Sequence, residues 1–217
     1  MYEHDQLINY TTACLDYIWL IATMMEFDRF VADELTPWKA ACAVFLITTM
    51  GFIREVMHMW VFKHYIPKKA LNDKVDAHLL WCIVQLNLVF GVAIAVSTYY
   101  GLFVWHSPTL STCYWIYIDF IIMILSKDVQ LAIFHQWMHV PKGIPGVDKW
   151  LRSTHELHHK TTTNLNSINA FYVNLDDAVM ENLAAPFVLV GIKWCMNSNI
   201  TIHLGSFMLF IAYDMCV

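Results

Sequence analysis

From Ala77 to Trp105 the chain runs for 29 residues without an Asp, Glu, Lys or Arg. A bilayer-spanning helix needs about 20 predominantly apolar residues, so this run fixes the solvent the chain is built for. The composition agrees: 58% of residues are hydrophobic and only 14% charged, against about half and about a quarter in ordinary soluble domains. Mean hydropathy is +0.47. The expected fold is an all-α integral membrane protein, a single domain over residues 1–217.

Further candidate spans flank the central run. Leu7–Met25 contains Asp16, Trp38–Phe62 contains Arg54 and Glu55, and Tyr114–Phe134 contains Asp119, Lys127 and Asp128. Leu183–Cys195 and Ile200–Val217 surround the uncharged "MNSN" and form a hydrophobic hairpin, whose short first arm also suits a re-entrant loop. The reading is therefore about four spanning helices plus a C-terminal hairpin, with short surface helices between.

Charge orients this arrangement. Lys63–Lys74 holds four lysines and one aspartate, and Lys142–Lys160 holds four basic and two acidic residues. Two crossings separate these loops, so both lie on one side, the cytoplasmic or matrix side by the positive-inside rule. The membrane itself is then endoplasmic reticulum or mitochondrial inner membrane. The acidic stretch Glu26–Glu34 and the sequon Asn199-Ile-Thr201 fall on the other side, the sequon too near a span end for use. The start, "MYEHDQ", lacks the basic n-region of a signal peptide.

Two function classes fall away. A net charge of −5 provides no basic surface for nucleic acid. Six cysteines without a C-x-x-C pair, mostly in apolar runs, read as buried thiols rather than a disulfide framework.

Chemistry concentrates on the basic side. "FHQWMHV" places His135 and His139 four residues apart, and "STHELHHK" places His155, His158 and His159 at i, i+3, i+4. Each set shares one helical face, and neutral imidazole is the commonest transition-metal ligand. With eleven histidines in the chain, an H-x-x-H-H triple arises by chance only about 0.03 times, whereas H-x-x-x-H alone is weak. The bland alternative is that these rings cap helix ends at the headgroup region.

The stretch Asp128–Leu183 resembles the fatty acid hydroxylase/sterol desaturase superfamily, whose members use a histidine-bound metal pair and dioxygen to oxidise lipid C–H bonds. The resemblance lies in Asp128 seven residues before His135, in H-x-x-x-H, in "WLRSTHELHHK", and in "NSINAFYVNLDDAVMENL" running to Glu181. It places a hydroxylase-like core over about residues 114–217. Gln136 stands where the family usually has Arg. The family also carries a further histidine cluster after its last hydrophobic hairpin, so the remaining ligands are expected past Val217. His203, alone at the far end of the final span, is too distant to replace them.

The resemblance implies an iron-type metal pair bound by His135, His139, His155, His158 and His159, with Asp128 orienting a ligand ring. The resemblance further implies membrane lipids as substrate and, for an active chain, a cytochrome b5-like electron donor. Two metals need about eight donors, so the histidines present hold one ion well and two poorly. The alternative is a non-catalytic accessory subunit of a larger membrane complex, for example respiratory, with one ion or none. Among other ionisable residues, Asp119 is expected to pair with Lys127, and Arg54, Glu55, His58 and His64 to cap the interface.

Overall fold

The computed structural model describes residues 22–23, 25–31, 34–61, 77–107, 109–161, 175–180 and 184–214, with side chains at 55–61, 77–78, 157–161 and 214 left out. The candidate span Leu7–Met25 therefore lies almost wholly outside the described residues, as do His64 and Glu181 and the side chains of Glu55 and His58. What is described is mostly helical. After a helical segment at 25–31 come α1 (Pro37–Val61), α2 (Ala77–Tyr99), β1 (Phe103–Val104), α3 (Leu110–His139), α4 (Pro145–Thr161), α5 (Leu175–Ala178), α6 (Ala184–Cys195), β2 (Ile202–His203) and α7 (Leu204–Asp214).

Local chemistry sets these boundaries. Pro37 and Pro145 each occupy the first helical position, where the missing N–H costs nothing. Thr109 caps α3, its side chain accepting from the Thr112 amide at 3.1 Å. No Gly or Pro interrupts residues 110–139. The helix therefore continues about 45 Å, at 1.5 Å per residue, until Pro141 ends it. The first histidine pair thus rides on the last turns of a long helix, not on a short surface helix. Asn197, at φ 55°, closes α6 in the left-handed conformation, with the Ser198 amide donating back to the Lys193 carbonyl at 2.9 Å.

The core is organised around α7. Leu204, Phe207, Met208 and Phe210 are all essentially buried, and the helix packs between α1 and α3. From α1 the buried stripe is Ala40, Ala43, Val44 and Ile47, the i, i+3, i+4, i+7 spacing of one helical face. Thr48 on α1 hydrogen-bonds to the Asn87 side chain on α2, joining the two helices within apolar surroundings. β1 and β2 pair in parallel and tie the start of α3 to the start of α7.

The outer surface is equally apolar. Along α2, Leu80, Val84, Leu88, Val92 and Val96 are 49–65% exposed at four-residue spacing. Leu79–Tyr99 is the one helix among the described residues that is both long and apolar enough to cross a membrane, and only 28% of its most apolar window is buried. Its 21 residues reach about 31 Å, the thickness of a hydrocarbon core. α6 and α7, at 12 and 11 residues, are too short to cross singly, at about 18 Å and 17 Å.

The buried ion pair differs from the expected one. Asp119 on α3 binds Lys193 on α6 at 2.6 Å, and the same ammonium donates to the Thr201 carbonyl at 2.8 Å. Lys127, two turns further along α3, is not this partner, because the chain turning back through α6 brings a lysine across the helix interface to the Asp119 face. Removing one member of such a pair strands a buried charge. Lys193→Met is expected to lower unfolding free energy by about 3 kcal/mol, and the double variant Asp119→Asn/Lys193→Met to recover most of that loss, read by thermal or denaturant unfolding in detergent.

Candidate metal site

The reversal from α3 into α4 sets the site. Asp148 on the first turn of α4 accepts backbone N–H groups from Lys142 at 3.1 Å, Gly143 at 2.9 Å and Ile144 at 2.9 Å. It also accepts the Trp137 indole N–H from the end of α3 at 2.7 Å. Gly143 supplies the positive φ, 88°, that the turn needs. The Trp137 bond, helped by the three amides, holds the Asp148 carboxyl below the usual carboxylate range. With the turn clamped at both ends, the face of α4 carrying Leu151, Thr154 and His155 is buried, and His155 lies against the last turns of α3.

Three of the five expected histidines come together there. The Nε2 atoms of His135 and His139 lie 3.1 Å apart. The His155 ring stands edge-on to both, with centroids 4.6 Å from His135 and 5.4 Å from His139. One ligand atom from each ring lies within 4.8 Å of the others. Imidazole nitrogens bound to one ion at about 2.1 Å sit about 3–4 Å from each other, so small side-chain movements close the set. Burial is graded: His155 is buried, His135 half-buried and His139 exposed. The centre therefore opens on the His139 side.

A carboxylate that the sequence reading passed over orients the deepest ring. His155 Nδ1 lies 3.1 Å from Asp177 Oδ2, with the two side chains 3% and 1% exposed. Asp177 sits on α5, and its neighbour Asp176 accepts the Trp150 indole N–H at 3.1 Å. Adjacent carboxylates thus dock α5 along α4. In the neutral ring an Nδ1–H donated to Asp177 places the acceptor lone pair on Nε2, the tautomer a metal requires. Burial pushes the Asp177 carboxyl up to about 6, and its second oxygen, Oδ1, is buried with no hydrogen bond among the described residues. A buried carboxylate behind a histidine fits a site that gains a cation in front of it.

The remaining candidates fall elsewhere. His158 and His159 lie on α4 one turn after His155, with their side chains outside the described residues. Asp128 is exposed on α3 about two turns before His135. A carboxylate that does reach a ring of the trio is Asp177. The signal for it was the acidic pair in "NLDDAVMENL", but nothing in the local spacing links residue 177 to residue 155. His203 is buried beside β1: its Nδ1 accepts the Gly205 amide at 3.0 Å, and its Nε2 lies 2.9 Å from the carbonyl and 3.0 Å from the amide nitrogen of His106. It stands at the opposite end of α3, about 38 Å from His135 by helical rise.

The donor set suits a first-row divalent ion such as iron or zinc, bound by neutral imidazoles with coordination positions left for water or substrate. No protein-family model matches this chain, and no curated protein or solved structure matches it.

Asp177→Asn is expected to weaken iron(II) or zinc binding about 10- to 100-fold, measured by competition with a chromogenic chelator, while circular dichroism is unchanged. Metal affinity also has a definite pH dependence. As pH falls through about 6, Asp177 takes up a proton, so retained metal falls with acid. In Asp177→Asn the carboxylate step disappears from that titration.

Proposed function

We propose that this protein is a membrane-embedded, metal-dependent oxidoreductase of the fatty acid hydroxylase/sterol desaturase type, hydroxylating or desaturating C–H bonds of a fatty acyl chain or sterol. The observation that carries this reading is the convergence of His135 and His139 with His155 from two different helices, backed by Asp177. Chance spacing of surface histidines does not recruit a buried carboxylate to hold one ring.

The bundle around the trio supports the lipid half of the reading. Large apolar side chains are exposed along α1 (Phe45, Leu46, Ile53), α3 (Leu125, Val129, Ile133) and α6 (Phe187, Ile192), as well as along α2. In water such continuous surface drives aggregation; in a bilayer it is solvated. In the finer form of this reading α1, α2 and α3 cross the membrane, with residues 7–25 as a further span and α6–α7 as a hairpin. The trio then lies at the basic, cytoplasmic or matrix face, where Lys142, Lys149 and Arg152 are exposed.

A bound iron-type metal supplies the redox chemistry that oxidation of an unactivated C–H bond by dioxygen requires. The chain's own residues do the rest. Asp177 fixes the His155 tautomer and ring plane, the Asp148 clamp holds α4 at its distance from α3, and the exposed His139 side is the open approach. Electrons would come from a cytochrome b5-like donor at the same face. His158 and His159 would contribute to a second metal position.

The test is metal analysis of the purified protein in nanodiscs, followed by incubation with dioxygen, reduced cytochrome b5 and a panel of fatty acyl and sterol lipids, with products read by mass spectrometry. At least one iron per chain and an oxygenated or desaturated product are expected. His139→Ala and His155→Ala should each lower bound metal by about tenfold or more and abolish product. A chain that keeps no metal and oxidises none of the panel would overturn the enzyme and favour an accessory subunit of a larger membrane complex.

A further inference from the structure

The exposed face of α4 borders an open concavity of about 510 Å³, lined by Pro141, Asp148, Lys149, Arg152, Ser153 and Glu156. That volume is in the range of small-molecule sites, about 300–1,000 Å³. Lys149, Arg152, Ser153 and Glu156 recur at i, i+3, i+4 and i+7, so they share one helical face. All four are exposed, and the opposite face is the one that buries Leu151, Thr154 and His155.

The charges on this face are ordered. Lys149 and Arg152 come first, and their side chains form no hydrogen bond or ion pair among the described residues. Glu156 follows one turn after Arg152, and the whole series spans about 10 Å of helix. Asp148 also borders the concavity, but each of its oxygens already accepts two N–H donors within the turn. The Ser153 hydroxyl donates to the Trp150 carbonyl at 2.8 Å, so it shapes the wall and leaves the binding to the charged groups. The lining thus holds two cations and two carboxylates. A simple anion matches only half of it, whereas a zwitterion with phosphate at Lys149 and Arg152 and an ammonium at Glu156 matches the order along the helix. A carboxylate has about four lone-pair sites, so Glu156 accepts an ammonium beside any other partner. Quaternary ammonium groups are held in aromatic cages; no aromatic ring lines this concavity, which selects a primary ammonium with N–H donors. The adjoining chain carries Val140, Ile144 and Trp150 exposed by 51%, 48% and 43%, the apolar and indole groups that settle at a membrane interface.

We propose that this face of α4 binds the headgroup of a phosphoethanolamine-bearing membrane lipid, with Lys149 and Arg152 on the phosphate and Glu156 on the ammonium. The contact holds α4 at the level of the lipid phosphates, and with it the ring of His155 on the opposite face. It rests on the membrane half of the reading above and on nothing in the metal centre.

The experiment uses the metal-stripped full chain in uncharged maltoside micelles. Equilibrium binding of tritiated dioleoylphosphatidylethanolamine is measured against unlabelled dioleoyl competitors: the same lipid, phosphatidylcholine, phosphatidic acid and diacylglycerol. Phosphatidylethanolamine should compete best, about 10- to 30-fold better than diacylglycerol, since each cation near the surface contributes about fivefold. Lys149→Gln and Arg152→Gln should each weaken binding about fivefold, while Arg152→Lys keeps most of it. Glu156→Gln should weaken phosphatidylethanolamine and strengthen phosphatidic acid, a change of opposite sign that lost folding does not produce. Circular dichroism and Tm should be unchanged in all four variants, because the side chains are exposed. No advantage over diacylglycerol in the wild type, or an advantage that survives Lys149→Gln and Arg152→Gln, overturns the proposal. Phosphatidic acid competing best in the wild type identifies a plain anion patch and overturns it too. Soluble glycerophosphoethanolamine competing as well as the lipid assigns the site to a water-soluble phosphate ester and overturns the lipid. A chain that binds no metal but keeps this lipid preference sinks the oxidoreductase and supports the headgroup site.

Discussion

Between the last turn of α3 and the first turn of α4 the backbone reverses over a few residues, and one carboxylate holds that reversal. Asp148 gathers three consecutive backbone N–H groups and the Trp137 indole, so the turn is bonded to both helices at once. Everything the site needs follows from it. α3 brings His135 and His139 on one face, but a single helix presents its ligands to one side only. A ring from a second direction is required to enclose an ion, and the angle of α4 supplies it. Asp176 and Asp177 then fix the outer side of α4 through Trp150 and His155.

The rest of the bundle serves to hold α3 in place. Its packing is apolar inside and outside, so burial alone cannot specify which face of each helix turns inward. Polar contacts supply that specificity. The Asp119–Lys193 pair sets α6 against α3, the Thr48–Asn87 bond sets α1 against α2, and the β1–β2 pairing anchors α7 beside the start of α3. Each is strong because its surroundings are poor in water. A lysine that also satisfies the Thr201 carbonyl joins the loop between α6 and α7 to the same point. That is why a hairpin of two helices too short to cross a bilayer still has a defined place in the fold.

Much of this was legible in the residues. The helical class, the long uncharged run, the shared face of His135 and His139 and the hairpin at Asn197 all come from local rules: 3.6-residue periodicity, proline and glycine punctuation, and charge depletion. The partner of Asp119 was not legible, because Lys127 lies closer in sequence and only the α6 return brings Lys193 across. Asp177 was not legible either: it stands 22 residues from the ring it orients, and an acidic pair before an apolar segment reads as an ordinary helix start.

The sequence by itself determined the long apolar run, the helical class and the spacing of the histidines, since each depends on residue type and on spacing within a few turns. Only the tertiary structure decided which histidines meet and which carboxylate stands behind them. Those are contacts between segments far apart in the chain. Their geometry is set by a turn, an ion pair and a packed central helix, and none of these has a signature within the local window in which sequence periodicity acts.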